Sequence, residues 1–509
     1  MADVRMGGAW WVPWLRRARA VLVGAVLLVV LCGVSVWLAV RITPVQSVSA
    51  AGQSIQVGAV QPDLSLSGPG ELDLFGQAMA TRPRFDGPIR PRLKLAHITI
   101  DSEVGRMVGS DGPDALELTV SRQLASGWIR YCVWETVIAA GCAAVIVVAG
   151  AGVRRASGRT VLKLVAVGVV GVCAVNVIGV YLLASGTPRV LRQVQSVDDL
   201  VGRTPSQPVP VEKGPALTGV RVVVLGDSTA AGLGNRPVAH ATALDKACGR
   251  SADSYAADLA SVNDWNVLNL SCQGATISDG ILGVQIRGSL VAAPQLAVAQ
   301  RATGAAAYIV SIGANDMNWS VLTGLCAAAP VCDDKASTAY FQEQLATFTQ
   351  NYYDLLQQLA TLPQHPAVLV NAYYEPFGPN TDCLRKEGLT TAKTAVLRSR
   401  LADVNTVLVQ GAQTFHLATA TPDFTGHQLC SEQPYVQNSA DQAPLHPTAA
   451  GDLAIALADQ RALDTLPGFA GNPLPTPSPT VSPTASPTPS PSGGSTGTAS
   501  ATATPSAGL

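Results

Sequence analysis

Four short segments carry residues of the kinds that acyl-transfer chemistry uses. Ser228 stands in GDST and Gly274 in SCQGAT, while Asn315 stands in GAND and His446 in LHP. A serine hydroxyl is a weak nucleophile until a base takes its proton, and histidine is the usual base. The oxyanion that forms during attack on an ester carbonyl needs donors aimed at it. The backbone N–H groups of Ser228 and Gly274 and the amide of Asn315 could supply three.

The sequence around these segments predicts how they meet. β-branched or apolar runs alternate with helical stretches, which is typical of a parallel sheet with helices on both faces. The predicted strands cover residues 220–225, 265–270, 306–313, 367–374 and 415–420. Ligands of such sheets bind beyond the C-terminal strand ends. Each of the first three strands ends at one of the segments above, and the histidine precedes a helix-like stretch, TAAGDLAIALA.

This arrangement resembles the SGNH hydrolases, the GDSL esterase and lipase family. The resemblance covers about residues 220–463. It depends on the presence of all four segments in the family's order, because a GDS sequence alone often occurs by chance. It implies a flavodoxin-like three-layer α/β/α domain that hydrolyses carboxylic esters. It also implies that Ser228 is the nucleophile and His446 its base, with Ser228, Gly274 and Asn315 forming the oxyanion hole.

The sequence departs from the family beside the histidine. The family usually carries an aspartate three residues earlier, which holds the imidazole, whereas this chain has Ala443 there. The carboxylate of Asp441 could reach the ring around the turn at Pro444. Alternatively, the backbone carbonyl of Ala443 could accept the Nδ1 proton, as in an arrangement found in some secreted bacterial members of the family. We expect the carbonyl.

The same residues have plainer interpretations. Ser228 could cap the helix that follows it, and Asn315 and Asp316 could cap another. His427, in FTGHQLC, is the rival base, but its place near a cysteine favours a structural role. The presence of all four segments favours catalysis over these alternatives.

The ten cysteines divide into two groups. Four lie in or beside apolar runs: Cys32, Cys132, Cys142 and Cys173. The other six lie in the polar half of the chain, and six cysteines allow many pairings. The resemblance to secreted bacterial members with three disulfides implies the pairs Cys248–Cys272, Cys326–Cys332 and Cys383–Cys430.

Three apolar segments predict membrane helices at residues 21–40, 133–153 and 161–184. About 20 helical residues span a hydrocarbon core of roughly 30 Å. Arginines cluster in residues 1–20 and in the loop 154–159, which places both on the cytoplasmic side and everything after the third span outside. A cleaved signal peptide is the alternative for the first segment, but such apolar cores run only about 7–15 residues. We therefore expect an uncleaved anchor.

The remaining segments complete the domain organisation. Residues 41–130 contain short alternating runs separated by Gly and Pro, which predict a β-rich extracytoplasmic module. Residues 185–218 are predicted to be a linker and residues 219–466 the hydrolase domain. The segment 472–509 is rich in Pro, Ser and Thr and predicts a disordered stalk.

The composition limits the class of function. The formal net charge of −1 argues against a nucleic-acid partner, and neither zinc-ligand spacing nor a phosphate-binding loop is present. We expect no cofactor and no metal. The sequence predicts a multi-pass membrane protein whose catalytic domain lies outside as a serine esterase or lipase. Its substrate would be a lipid or an acylated glycan, and the cell wall is a candidate partner. The alternatives are a non-catalytic wall-polysaccharide-binding module and acyl or acetyl transfer to envelope glycans.

Overall fold

The computed structural model describes residues 11–50, 53–61, 65, 67–87, 89–98, 112–191, 200–201 and 207–469. The predicted stalk at residues 472–509 lies outside these ranges, as does half of the predicted cytoplasmic segment 1–20. The described chain forms three long helices, a small sheet and an α/β domain.

The three long helices are α1 (Trp11–Ile42), α2 (Gly112–Val153) and α3 (Gly158–Leu191). Each contains a stretch long and apolar enough to cross a membrane. All three extend beyond the predicted spans. Residues 112–130, which the sequence assigned to the β-rich module, belong to α2, because from residue 114 to 126 they contain neither Gly nor Pro to interrupt a helix. The start of the predicted linker, residues 185–191, likewise continues α3.

Close contacts and a polar cluster hold these helices together. A side chain at Gly171 would lie 3.0 Å from Leu28, so the small residue allows α3 to approach α1. Asn176 of α3 donates to Glu135 and, at 2.7 Å, to the hydroxyl of Thr136, both on α2. Glu135 is therefore buried between the helices.

The module is a five-stranded sheet in the order β1-β2-β5-β3-β4. Its strands are β1 (Gln46–Ala50), β2 (Gln53–Ala59), β3 (Ser67–Leu74), β4 (Gln77–Asp86) and β5 (Pro91–Ile98). At the turn between β3 and β4, Phe75 is 1% exposed and packs edge-on against Tyr352 and Phe415 of the α/β domain. The module and the α/β domain therefore share one hydrophobic core.

All five strands predicted for the α/β domain are present and form one parallel sheet. They are β6 (Val222–Gly226), β7 (Val267–Asn269), β10 (Ala307–Ser311), β11 (Ala367–Asn371) and β12 (Ala418–Ala420). The order is β12-β11-β10-β6-β7. A short hairpin, β8 (Gln285–Arg287) and β9 (Leu290–Ala292), lies apart from it and was not predicted.

Helices cover both faces of this sheet. They are α4 (Ser228–Ala231), α5 (Ala243–Cys248), α6 (Tyr255–Asn263), α7 (Gln295–Ala299), α8 (Trp319–Ala328), α9 (Lys335–Ala360), α10 (Thr391–Thr414) and α11 (Ala449–Leu463), with a 3₁₀ turn at Asp382–Glu387. Val223 and Leu225 of the interior strand β6 belong to one core, and Val222 and Val224 to the other. Successive side chains of a strand point to opposite faces, so β6 is buried on both sides, as expected of an interior parallel strand.

Candidate active site

The candidate nucleophile stands on a tight turn at the end of β6. Asp227 caps the one-turn helix α4, and its carboxylate accepts from the N–H of Thr229 at 2.9 Å. Ser228 is the first helical residue and does not provide the cap. Gly232 ends the helix with a φ of 68°. The turn thus holds the Ser228 side chain at the C-terminal edge of the sheet.

Two features position the end of β6. A Cβ at Gly226 would lie 2.3 Å from the carbonyl oxygen of Ser311 on β10, so only glycine fits there. The side-chain amide of Gln295 pairs with the same residue, accepting from the Gly226 N–H at 2.8 Å and donating to its carbonyl at 2.9 Å. Sequence reasoning missed Gln295, because nothing in the sequence places it beside this turn.

His446 reaches Ser228 from the far end of the domain. Its Nε2 lies 2.8 Å from the serine Oγ, which is hydrogen-bond distance for proton transfer. The two residues are 218 positions apart in sequence. The loop before α11 carries the imidazole to the strand end that bears the serine.

The carbonyl within hydrogen-bond distance of the imidazole Nδ1 was not among the alternatives considered above, although the Ala443 carbonyl also acts on the ring. The Nδ1 atom lies 3.1 Å from the carbonyl oxygen of Pro444, one residue beyond Ala443. Leu445 has a φ of 69°, which turns the chain and brings the ring back over that carbonyl. The Ala443 carbonyl accepts from the backbone N–H of His446, and the Asp441 carboxylate accepts from the Asn438 N–H.

The environment of His446 sets its charge. Burial lowers the pKa of the imidazole below its ordinary value, because the charged form loses hydration. The hydrogen bonds to the Pro444 and Ala443 carbonyls oppose this effect. A carbonyl is neutral and stabilises imidazolium less than a carboxylate would. Burial thus favours the neutral imidazole over the charged one, in the direction that suits a general base.

Gln437 ties the histidine loop to the serine loop. Its Nε2 donates to the carbonyls of Leu233 and Pro447, both at 2.8 Å. Its Oε1 accepts from the N–H of Ala443 at 3.1 Å. The side chain is 4% exposed. The buried side-chain amide of Gln437 therefore holds the backbone on both sides of His446. No signal in the sequence points to this role.

The predicted oxyanion donors carry hydrogens that the described part of the protein itself does not use. Gly274 has a φ of 75°, a left-handed conformation that glycine adopts without strain. Within the described chain, the N–H groups of Ser228 and Gly274 donate to no protein acceptor. Asn315 lines the same cleft as Ser228 and His446. One of its two amide hydrogens is used, in a 2.9 Å bond to the Ala275 carbonyl, and the other remains available.

Buried carboxylates connect the strand ends. The Tyr373 hydroxyl donates to Asp227 at 3.1 Å and accepts from the Ala314 N–H at 2.7 Å. Asp316 accepts from the N–H of Ile277 at 3.1 Å, so it braces the glycine loop and does not cap a helix. Burial raises the pKa of Asp227 to about 6 and that of Asp316 to about 7. Both side chains position backbone segments of the site.

The rival histidine has a structural setting. The Nδ1 of His427 lies 2.8 Å from the carbonyl of Gln433, and its ring stacks on Tyr435 with centroids 4.0 Å apart. Through these contacts the His427 ring stabilises the loop to which it belongs.

Three disulfides brace the domain, and they are the pairs that the family resemblance implied. Cys248–Cys272 joins α5 to the loop after β7, Cys326–Cys332 joins the last turn of α8 to the loop that follows it, and Cys383–Cys430 links the 3₁₀ turn to the loop after β12. The four cysteines of the apolar helices are free.

Several proteins of known structure are similar to this chain. One is an extracellular lipase from Streptomyces rimosus (22% identity, TM-score 0.39), with 48% of this chain and 99% of the lipase covered. Another is phospholipase A1 from Streptomyces albidoflavus (23% identity, TM-score 0.35), with 47% of this chain and 97% of the other covered. A family two carbohydrate esterase from Cellvibrio japonicus shares 18% identity at a TM-score of 0.26, over 48% of this chain and 60% of that one.

No curated protein matches the chain. Residues 224–454, which hold all four candidate site segments, match the GDSL-like Lipase/Acylhydrolase family. The α/β part of this protein is therefore a domain of the GDSL-like lipase and acylhydrolase family, with the SGNH hydrolase fold.

Proposed function

We propose that the protein is a serine ester hydrolase that works through an acyl-enzyme on Ser228. The observation that carries this proposal is the 2.8 Å contact between the Ser228 Oγ and the Nε2 of the half-buried His446. The cleft beside this pair is lined mainly by apolar side chains, including Met317, Trp319 and Val404, which suits the acyl part of an ester.

The reaction proceeds in two halves. In the first, His446 takes the Ser228 proton as the Oγ attacks the ester carbonyl. The negative oxygen accepts hydrogen bonds from the N–H groups of Ser228 and Gly274 and from the free amide hydrogen of Asn315. His446 then gives its proton to the leaving alcohol. In the second half, water attacks the acyl-enzyme, with His446 again removing and returning a proton.

We further propose that the three helices anchor the protein and that the catalytic domain lies outside the cell. The length and apolar character of the helices support the anchor. Arg154, Arg155 and Arg159 lie in or next to the turn between α2 and α3, and positively charged loops favour the cytoplasmic side. The three disulfides support an oxidising compartment for the catalytic domain.

A fluorophosphonate probe that cannot cross membranes tests both proposals. Intact cells that express the full chain should be labelled, and the Ser228→Ala variant should not be. Ser261→Ala, at an exposed serine on α6, is the matched control and should be labelled like the wild type. Labelling only after lysis would contradict the outside location. Equal labelling of the Ser228→Ala variant, or none of the wild type in either sample, would contradict the serine mechanism.

A further inference from the structure

A second cleft adjoins the one that holds the serine. The two clefts share four lining residues, Ser320, Pro444, Leu445 and His446. Ser228 lines the first cleft and not the second. They are open clefts of about 710 and 1010 Å³. The candidate base therefore stands where the two meet.

The position of His446 indicates which part of a substrate the second cleft receives. A general acid must lie beside the leaving oxygen, because it donates the proton that the departing alcohol takes. The alcohol part of the ester therefore extends from the serine toward the imidazole. The acyl part stays in the cleft that contains Ser228 and Asn315.

The lining of the second cleft suits a hydrocarbon chain. Its walls are made mainly of Leu233, Ala327, Leu384, Leu389, Leu429 and Ala443. Glu387 is the one charged residue among the described lining residues, and it accepts a hydrogen bond from Ser439, which also lines the cleft. We propose that this cleft is a second apolar subsite, which binds the alkyl chain of the substrate's alcohol, so that the enzyme acts on esters with a hydrocarbon chain on each side. This inference rests on the proposed esterase function and extends it to a substrate class.

Helix α8 forms one wall of the subsite. Ser320, Thr323, Gly324 and Ala327 of this helix line the cleft. A Cβ built at Gly324 meets no atom within 4 Å. A large side chain there would have room to project into the cleft without displacing protein atoms. Val321 lies on the same helix, is 49% exposed and does not line the cleft, so it offers a matched control.

Two isomeric esters separate the subsites. Nonyl acetate carries its long chain on the alcohol, and methyl decanoate carries it on the acid. Because the two esters have the same molecular formula, they should partition into the lipid of the assay to a similar extent. The assay uses the full-length protein in lipid nanodiscs, because Phe75 of the module completes the core of the catalytic domain. The wild type should hydrolyse both esters, and kcat/KM for alkyl acetates should rise from ethyl to nonyl. Burial of one methylene is worth a factor of about four in binding.

Gly324→Phe should lower kcat/KM for nonyl acetate about tenfold or more relative to methyl decanoate, because the ring excludes several methylenes. Val321→Phe should leave the ratio of the two esters within about twofold of the wild type. An equal fall for both esters in Gly324→Phe, or an unchanged ratio, would overturn the subsite.

The wild-type series tests the subsite without any variant. A kcat/KM that does not increase with the length of the alkyl acetate would refute the subsite, provided that methyl decanoate is hydrolysed. Failure to hydrolyse any of these esters would instead count against the proposed esterase function.

Discussion

Replacement of Gln437 by methionine tests whether the histidine loop must be held in place for catalysis. Methionine has nearly the shape of glutamine but cannot form its three hydrogen bonds to Leu233, Pro447 and Ala443. At about 1 kcal/mol net for each bond, the variant should lose about 3 kcal/mol of stability. The residues on both sides of His446 would then be free to shift.

The effect on rate follows from the geometry of the pair. The Nε2 of His446 lies 2.8 Å from the serine Oγ, and proton transfer needs a separation below about 3.2 Å. A displacement of about 1 Å exceeds this margin, and misplacements of that size cost up to about 100-fold. We therefore expect kcat to fall by about 10- to 100-fold. Gln437 lines the second cleft and not the one that holds Ser228, so binding of the acyl part of the substrate should change little.

Gln460→Met is the control. This glutamine on α11 is also buried, at 3% exposure, and bonds to Asn263 at 2.7 Å and Asp464 at 2.8 Å. The variant should lose about 2 kcal/mol of stability but keep its kcat. Both variants should be assayed by p-nitrophenyl ester hydrolysis below their thermal midpoints, which differential scanning fluorimetry supplies. Equal loss of kcat in the two variants, or full kcat in Gln437→Met, would refute the positioning role.

Three further predictions concern the oxyanion donors and the titrating groups. Asn315→Ala should lower kcat about 10²–10³-fold, the usual cost of one oxyanion donor, and an unchanged kcat would remove the amide from the mechanism. Because burial lowers the pKa of His446, kcat/KM should fall on acidification only below the ordinary histidine value of 6.5, and a pH–rate profile with its acidic limb above 6.5 would contradict this. Burial raises the pKa of Asp459 to about 8, so the folded state retains a proton that the unfolded state releases above about 3.8, and stability should decrease as the pH rises toward 8. Asp316, with a pKa of about 7, acts in the same direction. The thermal midpoint should therefore be higher at pH 6.5 than at pH 8, and Asp459→Asn should reduce the difference; a midpoint that rises with pH over this range would show that other groups dominate.

Local patterns were enough to predict most of the architecture. Runs of β-branched residues predicted five strands because a central parallel strand is buried on both faces and so is apolar throughout. The three apolar segments predicted the long helices because the length of a span follows from the thickness of the bilayer. The four candidate segments could be found because each lies directly at the end of a strand or before a helix.

Contacts between distant parts of the chain were decided only by the tertiary structure. The imidazole Nδ1 lies within hydrogen-bond distance of the Pro444 carbonyl, a partner that the sequence did not suggest, because the positive φ of Leu445 sets the direction of the loop, and spacing alone does not reveal that angle. Gln295 and Gln437 resemble any other glutamines until folding buries their amides against backbone groups 69 and 204 residues away.

The docking of the module depends on the same kind of information. Phe75 is one aromatic residue in a turn, and its place in the core of the α/β domain exists only when the turn meets α9 and the end of α10. Apolar patterning predicts that a side chain will be buried, because moving its apolar surface out of water is favourable at any position in the fold. The pattern does not predict which surface will cover that side chain. The hydrophobic effect has no direction, so the packing partner depends on the shape of the assembled fold.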